Sequence, residues 1–171
     1  MKIRPAMGSD ARAIHALIAH FATKELLLPR DLGDVASEID TFIVCEDSRT
    51  VVGCLSLVEY HAGLAEIRSV AVEPTRASRG IGSRLVRRAL KDAASRGIAR
   101  VLAVTGTPGF FVRFGFRAAA SASMSEKVER DCRGCAKAQA CRLLPMILEL
   151  ETESALLPSA AAAALPLAPE C

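Results

Sequence analysis

Three groups of residues have types and spacings that could do chemistry. Glu66-Ile67-Arg68 sets an acid and a base two apart in the apolar run Leu64–Val72. On an extended strand the period of two puts Glu66, Arg68, Val70 and Val72 on one face. A carboxylate placed there can take a proton, and a guanidinium can bind a carboxylate with two parallel hydrogen bonds. The second group is Arg79-Gly80-Ile81-Gly82-Ser83-Arg84-Leu85-Val86, which follows that run and Pro74 and opens a helical pattern. Two glycines at a strand-to-helix junction let backbone approach a ligand, and the free amides of the helix start favour an anion. The third is Cys132-x2-Cys135-x5-Cys141, three thiols within ten residues.

Each group has competing readings. The glycine loop lacks the lysine of a nucleotide-triphosphate P-loop, and Leu85 stands where a dinucleotide fingerprint needs a third glycine. What remains is another phosphate-bearing ligand, or a helix start with no ligand. For Glu66 and Arg68 the alternatives are an ion pair at the wet end of a sheet, or an acceptor site with Arg68 as carboxylate anchor and Glu66 as base through a water. The cysteines fit a structural loop with free thiols, a metal or iron–sulfur site completed elsewhere, or a redox pair at Cys132–Cys135. No fourth ligand follows at a standard spacing, so no metal is expected.

The elements that must position these groups follow from periodicity. Lys2–Arg4 reads as a short strand ended by Pro5, and Ile14, Leu17, Ile18 and Phe21 form a helical stripe. A loop is expected over Lys24–Leu32 because of Pro29, then a short helix over Asp34–Ile39. Thr41–Glu46 and Val51–Tyr60 read as an antiparallel hairpin, and Leu64–Val72 as the next strand. A helix is expected over Gly80–Arg96, with Ile81, Leu85, Val86, Ala89, Leu90 and Ala93 on one side and Gly97 as its stop. Ala99–Thr105 reads as a buried strand and Phe110–Phe114 as a short helix. Phe116–Ala120 and Arg142–Leu150 close the sheet, with Pro145 predicting a bulge or an edge in the last strand. Residues 151–171 are Ala/Pro-biased and read as a flexible tail behind a single domain over 1–150.

The 171 residues are 51% hydrophobic and 24% charged, with a net charge of +3, enough for one substantial core and too little charge to suggest nucleic acid. The basic residues gather around Arg76–Lys91, which suits a local anion site. No run of 18 apolar residues and no signal-peptide core is present, so no membrane partner is expected and the cytoplasm is the expected location. Cys45 and Cys54 lie in apolar strands and are expected to behave as small hydrophobes rather than nucleophiles.

Taken together, strand Ile67–Val72, Pro74, Arg79-Gly80-Ile81-Gly82, Leu85 and the helix after them resemble motif A of the GNAT acetyltransferase superfamily. The opening Ile3-Arg4-Pro5-Ala6…Asp10 and the late Phe110-Phe111-x-x-Phe114-Gly115-Phe116 are similar to other parts of that family. The resemblance covers about residues 1–150. It implies an α/β (mixed) GNAT fold, with a central sheet of about six to seven strands flanked by helices. It also implies acetyl-CoA as co-substrate. The pyrophosphate would then lie on the amides of Arg79, Gly80, Ile81, Gly82 and Ser83, and the pantetheine arm beside Val70, Ala71 and Val72. The strand of such proteins usually carries a bulge. Two departures stand out: Ala77 occupies the usual Arg/Gln position, with Arg76 one residue early, and Phe111 replaces the tyrosine that many members use as general acid.

Leu27-Leu28-Pro29-Arg30-x-Leu32-Gly33-Asp34, Ala65–Val72 and Asp131-Cys132-x2-Cys135-x5-Cys141 together resemble the short, stand-alone bacterial N-acetylglutamate synthases. That resemblance implies acetyl transfer to the α-amine of L-glutamate by direct attack in a ternary complex, the first step of arginine biosynthesis. The expected assignments are Glu66 as base, Arg30 and Arg68 as carboxylate anchors, and Lys127 closing over the substrate. Lys24 and Arg113 are weaker anchors. A different small amine, a peptide N-terminus, a CoA-binding regulatory module without catalysis, and a homodimer all stay open.

Overall fold

The computed structural model describes residues 1–61, 63–135 and 141–150. Residues 151–171, read above as a tail, lie outside the described residues. Seven strands form one mixed sheet. β1 (Lys2–Pro5), β2 (Phe42–Asp47), β3 (Thr50–His61) and β4 (Leu64–Val72) pair antiparallel in chain order. β5 (Arg100–Thr105) lies parallel to β4, and β7 (Leu144–Glu149) sits between β5 and β6 (Arg117–Ala118), giving the order β1-β2-β3-β4-β5-β7-β6. A parallel neighbour needs a crossover, and α3 (Ile81–Ser95) supplies it.

One face of the sheet packs on α3 and α4 (Pro108–Val112). Ile81, Leu85, Val86, Ala89 and Ala93 of α3 are buried there, as the stripe predicts, and Leu90 is partly buried. The other face packs on α1 (Ala11–Ala22) and α2 (Leu32–Ser37) through Ile14, Ile18, Val35, Phe42 and Val44. Beyond β6 the chain forms a short helix, α5 (Ser125–Lys127), which runs on into a π turn over Val128–Cys132. Among the described residues, no helix is long and apolar enough to cross a membrane.

One local expectation needs correction and a second is sharpened. Glu66, Arg68, Val70 and Val72 do not share a face. Ser69 takes a left-handed φ of +55° and the β3–β4 register slips between Cys54 and Ser56, so an extra residue enters β4. Ala65 and Ile67 face α3 before the slip; Val70 and Val72 face it afterwards. Glu66 and Arg68 are left facing the α1/α2 side. Pro145 makes no bulge, since it pairs with Val104 without a register shift; on its other side it stands just past the end of the β6 ladder, a local edge within an inner strand. Its carbonyl accepts from the Ala119 amide, so the side on which proline lacks an N–H is the side where the β6 ladder has already ended.

Candidate active site

The bulge divides β4 into two working halves. The ladder to β5 exists only from Leu64↔Arg100 to Glu66↔Leu102; beyond it, β5 pairs with β7 alone. Among the described residues, the β5-facing edge of β4 past the bulge therefore has no strand partner, and its backbone groups face the cleft opened by the splay. α3 begins at this cleft. Gly80 caps it with a φ of +74°, a conformation that suits glycine, and open space surrounds its Cα. At Gly82 a Cβ would come within 3.4 Å of the Phe110 ring, so a side chain there would crowd the mouth of the cleft. Free amides at the helix start, a bare strand edge and a glycine that keeps side-chain bulk out of the cleft make a cradle that fits an extended phosphate-bearing chain.

The side chains around this cradle add little. Arg79 is exposed, and Arg84 donates only to the Met1 carbonyl at 3.4 Å. Arg76 binds Asp47 and lies 3.9 Å from Glu73, so its charge is engaged by the β2–β3 hairpin. Ala77 leaves its place without a polar group. Phe111 is buried against Phe110 and Phe116, a core position with no acid to offer.

Before the bulge, the chemistry comes from side chains. Glu66 is 2% exposed, and an unpaired carboxylate at that depth would be costly. Its Oε2 accepts from the Tyr60 hydroxyl at 2.5 Å and from Lys127 Nζ at 2.9 Å. Asp131 Oδ2 accepts from the same two groups, both at 2.9 Å. One phenolic proton serves only one carboxylate at a time, so Lys127 must bridge the pair. Burial opposes the Lys127 charge, but Glu66 and Asp131 outweigh it and hold the ammonium above its ordinary pKa. Burial likewise pushes Asp131 up, but Lys127, Tyr60 and Arg68 win and hold it below the usual carboxylate range. Burial, then Glu66 and Asp131, push the Tyr60 phenol far above its ordinary value, so it stays protonated. Arg130 covers the Tyr60 ring at 5.1 Å.

Arg68 joins this cluster to a second one. Its guanidinium reaches Asp131 at 3.4 Å and, on the other side, Glu38 Oε2 at 2.8 Å. Arg30, from the α1–α2 loop, donates to that same Glu38 oxygen at 2.9 Å and lies over the Phe42 ring. Burial raises Glu38, yet Arg30 and Arg68 outweigh it and keep its carboxyl below the ordinary value. Among the described residues, Arg30 Nη1 and Arg68 Nε are both buried without a hydrogen-bond partner. Buried unpaired guanidinium donors are costly, and two side by side point to a missing acceptor.

The structure thus gathers Glu66, Arg68, Lys127 and Arg30 at one place. Lys24 is exposed, and Arg113 lies over the Phe110 ring on α4. Sequence reasoning missed Tyr60, Glu38 and Asp131. Tyr60 was legible in principle: Val58 pairs with Glu66, so Tyr60 lies two residues on and on the same face. Asp131 falls four residues after Lys127, the helical spacing of an ion pair. Nothing in its neighbourhood marks Glu38. Cys132 and Cys135 are half-buried, Cys141 is exposed, and burial pushes the Cys132 thiol up, away from a reactive thiolate. Among the described residues, no group of three or more His, Cys, Asp or Glu side chains is placed to hold a metal ion.

A sheet opened between β4 and β5, with a glycine-capped helix at the opening, defines an acyl-transferase class, and the family match agrees. The chain belongs to the acetyltransferase (GNAT) family, whose model matches residues 12–116. It is 32% identical over 148 residues to an uncharacterized N-acetyltransferase of Chlorobaculum tepidum, covering 86% of this chain and 96% of that one. It is also 37% identical over 117 residues to an amino-acid acetyltransferase of Mycobacterium tuberculosis, covering 67% of each. N-acetylglutamate synthase from Neisseria gonorrhoeae, solved with coenzyme A and N-acetyl-glutamate, is similar with a TM-score of 0.80 and 27% identity. That match covers 88% of this chain and 35% of the other.

Proposed function

We propose that this acetyltransferase moves the acetyl group of acetyl-CoA to the α-amine of L-glutamate or a close five-carbon amino acid. The observation that carries the reading is the polarity of the acceptor side. Arg30 and Arg68 around Glu38 leave one net positive charge; Glu66 and Asp131 around Lys127 leave one net negative charge. A zwitterionic α-amino acid matches that pattern, with its carboxylate toward the arginines and its ammonium toward Glu66. The two unpartnered guanidinium donors are where the carboxylate would bind. The names of the amino-acid acetyltransferase and N-acetylglutamate synthase relatives support the same choice.

In this reading the thioester supplies an activated acetyl carbon. Val70, Ala71 and Val72 hold the pantetheine arm through backbone, while Arg79, Gly80, Ile81, Gly82 and Ser83 hold the pyrophosphate through amides. Glu66 takes a proton from the ammonium, through a water. Its Oε2 is already engaged by Tyr60 and Lys127, so the proton goes to Oε1. The freed amine attacks the carbonyl and an amide near Val70–Ala71 meets the developing oxyanion; the C–S bond then breaks, and the second N–H proton passes through water to bulk solvent or to the departing thiolate. The reaction belongs to arginine biosynthesis in the cytosol. The test is acetyl-CoA with a panel of the twenty amino acids, following CoA release. Turnover with L-glutamate or L-glutamine is expected; turnover only with other amines, or with none, rejects the acceptor assignment.

A further inference from the structure

Glu38 sets the net charge of the arginine subsite while touching no reacting group in the chemistry above. Its backbone is fixed at the end of α2: its amide donates to the Asp34 carbonyl, and its own carbonyl accepts from the amide and hydroxyl of Thr41. The Thr41 hydroxyl in turn meets Ser56 at 2.8 Å, and Ser56 is the β3 partner of Arg68. The carboxylate is held by the arginines themselves: a single oxygen, Oε2, takes one N–H from each. Both guanidiniums keep a further buried donor with no acceptor among the described residues. An ion pair that served only the fold would satisfy those donors, since leaving them bare costs stability.

We infer that Glu38 is a specificity-determining residue: by neutralising one of two adjacent guanidiniums, it limits the arginine subsite to a single carboxylate. The inference rests on the amino-acid acceptor proposed above and names the charge its subsite takes. With Glu38 in place, the Arg30–Arg68 pair offers one net positive charge, enough for an α-carboxylate. A second carboxylate in the acceptor gains little from this subsite. Without the Glu38 charge the pair would offer two positive charges at nearly the same point. A dicarboxylate would then gain over the monocarboxylate that lacks only its second carboxylate group.

The variant Glu38→Gln keeps the size and removes the charge. Two ratios test it. One is kcat/KM for L-glutamate over L-glutamine; the other is the Kd ratio of glutarate to butyrate by calorimetry on the acetyl-free enzyme. In E38Q both preferences are expected to move toward the dicarboxylate by about tenfold, the scale of one charge-assisted hydrogen bond. Glu38→Asp draws the carboxylate back by one methylene and is expected to move them about threefold in the same direction. A ratio that stays within twofold of wild type in either variant that folds overturns the inference. A purely structural role would lower the melting temperature and leave both ratios alone. If wild type acetylates neither amino acid, the acceptor reading fails, while the glutarate-to-butyrate ratio still decides the role of Glu38.

Discussion

The two halves of β4 present different means of binding. After the bulge at Ser69 the strand and the start of α3 offer backbone: a bare edge, free amides and a glycine that leaves the cleft clear of side-chain bulk. Before the bulge Glu66 and Arg68 offer side chains, and they work only because Tyr60, Lys127, Asp131, Arg30 and Glu38 arrive from four other segments. A backbone site depends on conformation and tolerates many sequences. A side-chain site depends on each partner, so it can be retuned one residue at a time.

The sharpest way to break this contrast is Glu66→Gln. General-base loss costs about 10²- to 10⁴-fold in rate, so kcat should fall by at least about 100-fold with acetyl-CoA affinity unchanged. A fall in affinity of the same size would mean that the halves are not separate. Gly82→Trp is the converse, placing bulk beside Phe110 at the cleft mouth. Losing two charge-assisted contacts to the pyrophosphate should weaken acetyl-CoA binding by about 100-fold, while glutarate binding by calorimetry stays within about twofold. Arg30→Ala should raise the KM for the amino acid by about 10- to 100-fold and leave the acetyl-CoA KM unchanged. An equal rise in both would place Arg30 outside the acceptor half.

The smallest effect is in stability. Asp131 has a folded-state pKa below its ordinary value, so its contribution is complete above the unfolded value near 4 and is lost as pH falls through the folded value. Wild type should therefore unfold at higher urea than Asp131→Asn at pH 7, and the two midpoints should draw together as pH falls below the unfolded value. A gap independent of pH would mean that the ionised carboxylate is not what holds α5 to β4.

The same contrast explains what could be read from the chain alone. Strand Leu64–Val72, the glycine pair and the α3 stripe are local patterns, so the sheet, the crossover and the cradle were legible there. So were Glu66 and Arg68 as residues of interest, though not their separation from Val70 and Val72. One residue in a left-handed conformation inverts everything after it, and Ser69 gives no sign of that in its type. Arg30 and Lys127 could be named from resemblance, but Lys127 proves to be bound to two carboxylates rather than free. Glu38 and Asp131 are ordinary acids in polar stretches. Only tertiary packing brings them to Arg68.

Tyr60 is the one tyrosine of the chain, and there is no tryptophan. Its hydroxyl sits between Glu66 and Asp131, under Arg130. All tyrosine absorbance and fluorescence of this protein therefore comes from the acceptor half. The molecule carries an intrinsic optical reporter at the place where its amine substrate would arrive, readable without label or mutation.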